Sequence, residues 1–285
     1  MIHSNSEGDI YIEEMPLLLV HLREEEKGAD ARLSEVLSYA LDGYAYETAM
    51  EISAFEDYVN RWRRLEKTQN RKNPVQGRIL FAVPLGTSGI NLELYRLIRF
   101  LREHPDFLNG FVGGLLVDSE NDLYSKSAAK DLVFAANCAG CAFVGRPLVE
   151  GTRTLSNYTI VSNNLGTDLM GAYRESAAGL VKEVLGTDCV RKKCPKVLVL
   201  HASSHKISNT YAIWDRVKEQ LPEMEIREIG LRNGTLSDCA GCPYKMCLHF
   251  GEQGSCFYGG VMVEDVYPAV READAIVMLC PNYND

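Results

Sequence analysis

The sequence predicts an α/β protein of two domains, with a mostly parallel sheet in the first and a doubly wound sheet in the second. Three observations carry this. Short apolar runs alternate with stretches of helical spacing along most of the chain, the pattern of strand–helix–strand units. The apolar run Val197-Leu198-Val199-Leu200 leads directly into Ala202-Ser203-Ser204-His205-Lys206-Ile207-Ser208-Asn209-Thr210, a hydroxyl-rich turn that opens a helix. And 285 residues are enough for a full core, with a length prior that favours two domains over one.

In order, residues 16–21 read as a strand, 31–41 as a helix and 46–53 as a second strand. The polar stretch from Lys67 to Asn73, ended by Pro74, reads as a loop, and the basic run Arg61 to Lys72 as a solvated connector. A strand at 78–83 ends in Gly86-Thr87-Ser88-Gly89, read as a structural turn in preference to a nucleotide contact or the relic of a duplicated unit, before helical spacing at Leu92, Leu94, Leu97, Ile98 and Leu101. Then come a strand at 111–117, a helix at 125–138, a strand at 142–149 and a helix at 167–185. Arg191 to Pro195 form the joint between domains at 1–190 and 196–285. The second domain reads strand 197–201, helix 209–220, strand 224–229, cysteine loop 237–258, helix 265–273 and strand 275–280. Asp265 is the expected cap of the last helix, with Pro268 in its first turn.

Composition excludes several function classes. Apolar residues are 46% and charged residues 24%, the balance of a globular protein. A formal net charge of −9 argues against a nucleic-acid partner. The N-terminus lacks the basic start and apolar stretch of a signal peptide, and no apolar run approaches the ~20 residues that cross a bilayer. Nine cysteines, an odd number that includes two CxxC pairs, fit reduced thiols in the cytoplasm. Of the two pairs, Cys138/Cys141 reads as buried thiols at a helix end.

The turn at 202–210 has the makings of an anion site. Unpaired N–H groups at a helix start, the positive end of its dipole and Ser/Thr hydroxyls converge on one point. The bland alternative is a helix cap with no ligand. Over residues 196–285 the pattern resembles the flavodoxin-like NAD(P)H-dependent FMN reductase family, including its iron–sulfur flavoprotein branch. That family's first loop runs Gly-Ser-x-Arg-x-x-Ser-Asn-Thr, which Ser203, Ser208, Asn209 and Thr210 match, with Ala202 for the glycine and His205 for the arginine. Ala273-Asp274-Ala275-Ile276-Val277-Met278-Leu279-Cys280-Pro281-Asn282-Tyr283 is similar to its Ala-Asp-x-Ile-Ile-x-x-x-Pro-x-Tyr segment. The resemblance implies FMN phosphate on Ser203, His205, Ser208, Asn209 and Thr210. It puts the flavin ring against Pro281, Asn282, Tyr283 and Asn284. It also implies a flavodoxin-like sheet lacking its last strands, the chain ending soon after the third.

Cys239, Cys242, Cys247 and Cys256 form a CxxC-x4-C-x8-C set. Four thiolates so close can wrap zinc or an iron–sulfur cluster, and the resemblance places the branch's cluster cysteines at this point. The alternatives are packing thiols in a loop beside the flavin, or a redox dithiol at Cys239/Cys242. His249 reads as an exposed histidine. The resemblance implies an enzyme passing electrons from NAD(P)H through FMN to a small acceptor such as a quinone or free flavin. No side chain is expected as acid or base. A homo-oligomer without nucleic-acid or membrane partners is expected. The rivals are a metal-centred electron-transfer module and a cofactor-free interaction protein.

Overall fold

The computed structural model describes residues 3–4, 10–11, 15–23, 27–68, 76–189, 192–202, 208–231 and 236–280. The chain divides into two compact units, Met1–Cys189 and Val190–Asp285. Among the described residues no helix is long and apolar enough to cross a membrane.

The first unit opens with two short antiparallel strands, β1 (His3–Ser4) and β2 (Ile10–Tyr11). There follow β3 (Leu17–His21), α1 (Lys27–Ala40), β4 (Tyr46–Ala49), α2 (Ile52–Thr68), β5 (Gly77–Leu85), α3 (Leu92–Glu103), β6 (Phe111–Ser119), α4 (Ser125–Cys138) and β7 (Ala142–Gly151). A 3₁₀ turn, Ser156–Tyr158, leads to α5 (Thr159–Leu165) and α6 (Leu169–Gly186). Strands β3 to β7 form one parallel sheet in the order β4-β3-β5-β6-β7. Counted from β3, that is the 2-1-3-4-5 order of flavodoxin-like folds.

Such a sheet needs helices on both faces, because parallel strands are joined by crossovers. Strand alternation divides the apolar residues accordingly. Leu18, Val20, Ile79, Phe81 and Val83 face a core built with Phe55, Tyr58, Trp62, Leu97 and Leu132 of α2, α3 and α4. Leu17, Leu19, Leu80 and Ala82 face the opposite core, with Leu33, Leu37, Tyr173 and Val181 of α1 and α6. The helix α2 replaces the expected connector. Arg61 and Arg64 are exposed, Arg63 folds over the Phe107 ring, and Phe55, Tyr58, Val59 and Trp62, at i, i+3, i+4 and i+7, are buried.

Close packing of strands sets two glycines. A Cβ on Gly113 would come within 2.8 Å of Cys141 Sγ, and one on Gly151 within 2.7 Å of Asp118 Oδ2. Cys141 is buried, and burial pushes its thiol pKa up. Cys138, expected to be buried with it, is exposed on the last turn of α4.

The second unit holds β8 (Lys196–His201), α7 (Asn209–Lys218), β9 (Glu225–Gly230), α8 (Tyr244–Gly251), a π-helical turn (Met262–Val266), α9 (Tyr267–Glu272) and β10 (Ala275–Leu279). Its three strands are parallel, in the order β10-β8-β9. Val197, Val199, Tyr211 and Trp214 form its core on the α7 side, joined by Ile226, Val277 and Leu279. Asp265 lies inside the π-helical turn instead of capping α9, although Pro268 does occupy the first turn of α9. Proline has no N–H to lose there. The cysteine loop contains the unforeseen helix α8.

Candidate functional site

In an open parallel sheet the ligand position is the carboxyl end, where neighbouring strands run to opposite sides. In the second unit β8 lies between β9 and β10, so the segments leaving β8 and β10 depart from one end of the sheet, side by side. The register aligns Leu279 with His201, the last residues of the two strands. Helix α7 begins at this end.

Ser208 is the N-cap of α7. Its backbone is extended, at φ −99° and ψ 112°, and its hydroxyl oxygen accepts a hydrogen bond from Tyr211 N at 3.2 Å. Asn209 and Thr210 are the first helical residues, exposed and half-buried respectively. The backbone N–H groups of the first turn and the dipole of α7 favour an anion in front of the cap. The donor set therefore fits a phosphate. Ser203, His205, Pro281, Asn282, Tyr283 and Asn284 lie outside the described residues.

Below this loop the side chains are tightly tied. His201 is buried, with its ring 5.0 Å from that of Tyr211 in an edge-on contact. Tyr211 donates its hydroxyl proton to Glu228 of β9, which also receives Trp214 Nε1 at 3.1 Å and Lys218 Nζ at 2.8 Å. Burial works against the Glu228 charge, yet the bonds from Lys218, Tyr211 and Trp214 outweigh it and hold the carboxyl at about 2.

The four cysteines are not brought together. Cys239 and Cys247 are exposed, Cys242 and Cys256 half-buried, and all four are free thiols. Helix α8 lies in sequence between Cys242 and Cys256 and carries Cys247. Among the described residues no three of His, Cys, Asp or Glu form a metal-holding group. This arrangement does not fit zinc or a cluster, which needs thiolates converging on one centre. His249 is exposed on α8, edge-on to Phe250.

The equivalent end of the first sheet is built differently. Gly86 O accepts from Gly89 N at 3.0 Å, closing a tight turn, and Gly89 takes φ +71° directly beneath Tyr124. Asn91, fully buried, donates from Nδ2 to Leu22 O (3.2 Å) and Pro84 O (2.9 Å). Its Oδ1 accepts Leu94 N at 2.9 Å, capping α3. One side chain thus stitches the ends of β3 and β5 where a ligand would enter.

Sequence reasoning missed a buried ion pair at this same edge. Arg32 of α1 grips Asp118 through Nε (2.9 Å to Oδ2) and Nη2 (2.7 Å to Oδ1), and reaches the Ser119 and Arg153 carbonyls. Asp118 is fully buried, and burial raises its carboxyl pKa even though Arg32 opposes the rise. The Tyr173 hydroxyl lies near Asp118 without a full hydrogen bond, and Tyr173 stacks on Tyr158. Ser125 and Glu150 share a hydrogen bond beside them, with Lys126 Nζ 4.0 Å away. Arg32 and Asp118 are 86 positions apart, so no local spacing announces the pair.

His21, buried at the end of β3, has Nε2 2.8 Å from Asp30 Oδ1. Burial lowers its pKa despite the pull of Asp30, and Arg23 adds to the lowering. Folded His21 therefore stays neutral while an unfolded chain takes up its proton below about 6.5. Its share of stability is complete above that pH and is lost as pH falls through the ordinary value toward the lowered one. Unfolding midpoints measured between pH 7.5 and about 5 should decline for the wild type and lose part of that slope in His21→Gln.

Comparison with known proteins agrees with the second unit's geometry. No curated protein matches the chain. A family model described as NADPH-dependent FMN reductase matches residues 195–285, which contain β8, α7, β9 and β10. That match covers about a third of the chain and stops short of the first unit. Residues 195–285 are a flavodoxin-like domain of the FMN reductase family.

Proposed function

We propose that the protein is an NAD(P)H-dependent flavin oxidoreductase whose second unit binds FMN. The carrying observation is the amino end of α7, capped by Ser208 at the end of the sheet where β8 and β10 finish together, within the matched domain. When bound, FMN supplies a ring that accepts hydride from a nicotinamide and passes electrons to a small acceptor such as a quinone or free flavin. The chain's own part is to hold the phosphate. Ser208, Asn209 and Thr210 present N–H and side-chain donors, and apolar β8 beneath them keeps the anion at the edge of the core instead of in it. Ser203 and His205 on one side, and Pro281, Asn282, Tyr283 and Asn284 on the other, are proposed to complete the contacts. The dispersed thiols of Cys239, Cys242, Cys247 and Cys256 give no support to a metal-centred reading.

The absorption spectrum of protein reconstituted with FMN and freed of excess, followed by NADH and NADPH oxidation with a quinone acceptor, tests the proposal. Retained flavin that the nicotinamide bleaches is expected; a colourless protein with no turnover overturns it. Ser208→Ala should weaken FMN binding about tenfold, since a charge-assisted hydrogen bond contributes ~1.5–3 kcal/mol. Flavin titration checks this, and unchanged affinity would remove Ser208 from the site.

A further inference from the structure

Glu228 breaks the pattern of the second sheet. Side chains alternate along β9, so Glu228 points to the same face as Ile226, the face that packs on α7. It sits opposite Val199, a fully buried core residue of β8. A carboxylate on a core face is costly unless fully hydrogen-bonded, and an apolar residue would serve packing better. What Glu228 receives instead is three donors from one helix: Tyr211, Trp214 and Lys218. These stand at i, i+3 and i+7, one stripe of α7 running from its first turn to its last.

The first of the three links the stripe to the candidate site. Tyr211 gives its hydroxyl to Glu228, and its backbone N–H is the donor that Ser208 accepts at the cap. Its ring also packs edge-on against His201, the residue from which the loop departs. Rotating or sliding α7 would therefore break the Glu228 bonds and shift the cap together.

We infer that Glu228 is a positioning residue for the anion site at the amino end of α7. It never touches the anion; it fixes the rotation and axial position of the helix whose N–H groups do. Donors held in place before binding lose less entropy on capture, so affinity for the anion depends on this tie. The inference rests on the FMN reading, and it concerns the phosphate half of that ligand alone.

That restriction gives a readout that a purely structural role would not move. FMN and riboflavin differ only by the phosphate, so the ratio of their affinities isolates the α7 terminus. Both flavins should be titrated by fluorescence quenching onto the full chain, below the melting temperature of each variant. Glu228→Gln and Tyr211→Phe should weaken FMN about tenfold while leaving riboflavin within about twofold. Lys218→Met, at the far end of the stripe, should change the ratio less. Should Glu228→Gln not fold, Tyr211→Phe carries the test, because it removes one hydroxyl only. Wild-type protein that binds FMN, with variants whose FMN-to-riboflavin ratio is unchanged, overturns the inference and leaves the flavin reading standing. Wild-type protein that binds neither flavin overturns both.

Discussion

Arg32→Met should destabilise the first unit by about 3–5 kcal/mol, the loss expected when a buried ion pair loses one partner. Asp118 is fully buried, and the guanidinium supplies three hydrogen bonds to its carboxylate while bridging to the carbonyls of Ser119 and Arg153. With Arg32 gone, the main opposition to burial is lost, and the Asp118 carboxyl pKa rises further. Gly151 offers no room for relief, because Asp118 already fills the space its Cβ would need. Urea unfolding followed by the fluorescence of Trp62, buried in this unit, measures the loss. Adding Asp118→Asn to Arg32→Met should recover part of it. A single variant within about 1 kcal/mol of wild type would show that the pair is dispensable.

Asn91→Ala should cost about 3 kcal/mol. It removes the α3 cap, worth about 1 kcal/mol, and takes the side-chain donor from two carbonyls in a buried place. Asn91→Asp separates the two contributions. It keeps an acceptor for Leu94 N, yet sets a buried carboxylate against the Leu22 and Pro84 carbonyls, so it should be no better than alanine. Thermal melts of the two variants decide the matter: an aspartate variant as stable as wild type would mean that only the cap counts.

The parts of the fold legible in the sequence were those with short apolar runs between turn residues. Strands β3, β5 and β6 fall where spacing puts them, because each is buried along nearly its whole length and reads as a continuous run, whereas the edge strand β4 is mostly unburied and stops at Ala49, short of the expected 46–53. Helix α2 was hidden by its charge. Arg61, Arg63, Arg64 and Lys67 dominate a casual reading, although Phe55, Tyr58, Val59 and Trp62 already carry the helical period. The 2-1-3-4-5 order of the first sheet was not legible, since strand order depends on crossovers that leave no local mark. At the candidate site the opposite held. Ser208 was identifiable from a hydroxyl before a helix, a local signal, whereas Glu228 acts on the same helix from 20 positions away and looked like any charged strand residue. The cysteines show a related gap: spacing in sequence says nothing about a helix such as α8 folding among them.

Cys141 gives the first unit an internal clock. Its sulfur sits over the missing Cβ of Gly113, in the core that this sheet face shares with α2, α3 and α4, with the side chain almost wholly out of reach of water. Only a thiolate attacks an alkylating reagent, and burial keeps this thiol protonated. Cys138, three residues earlier and exposed, is an in-place comparison of similar surroundings in sequence. The ratio of their labelling rates under native conditions therefore reports how often the helices lift from this face of the sheet, an opening measured without denaturant.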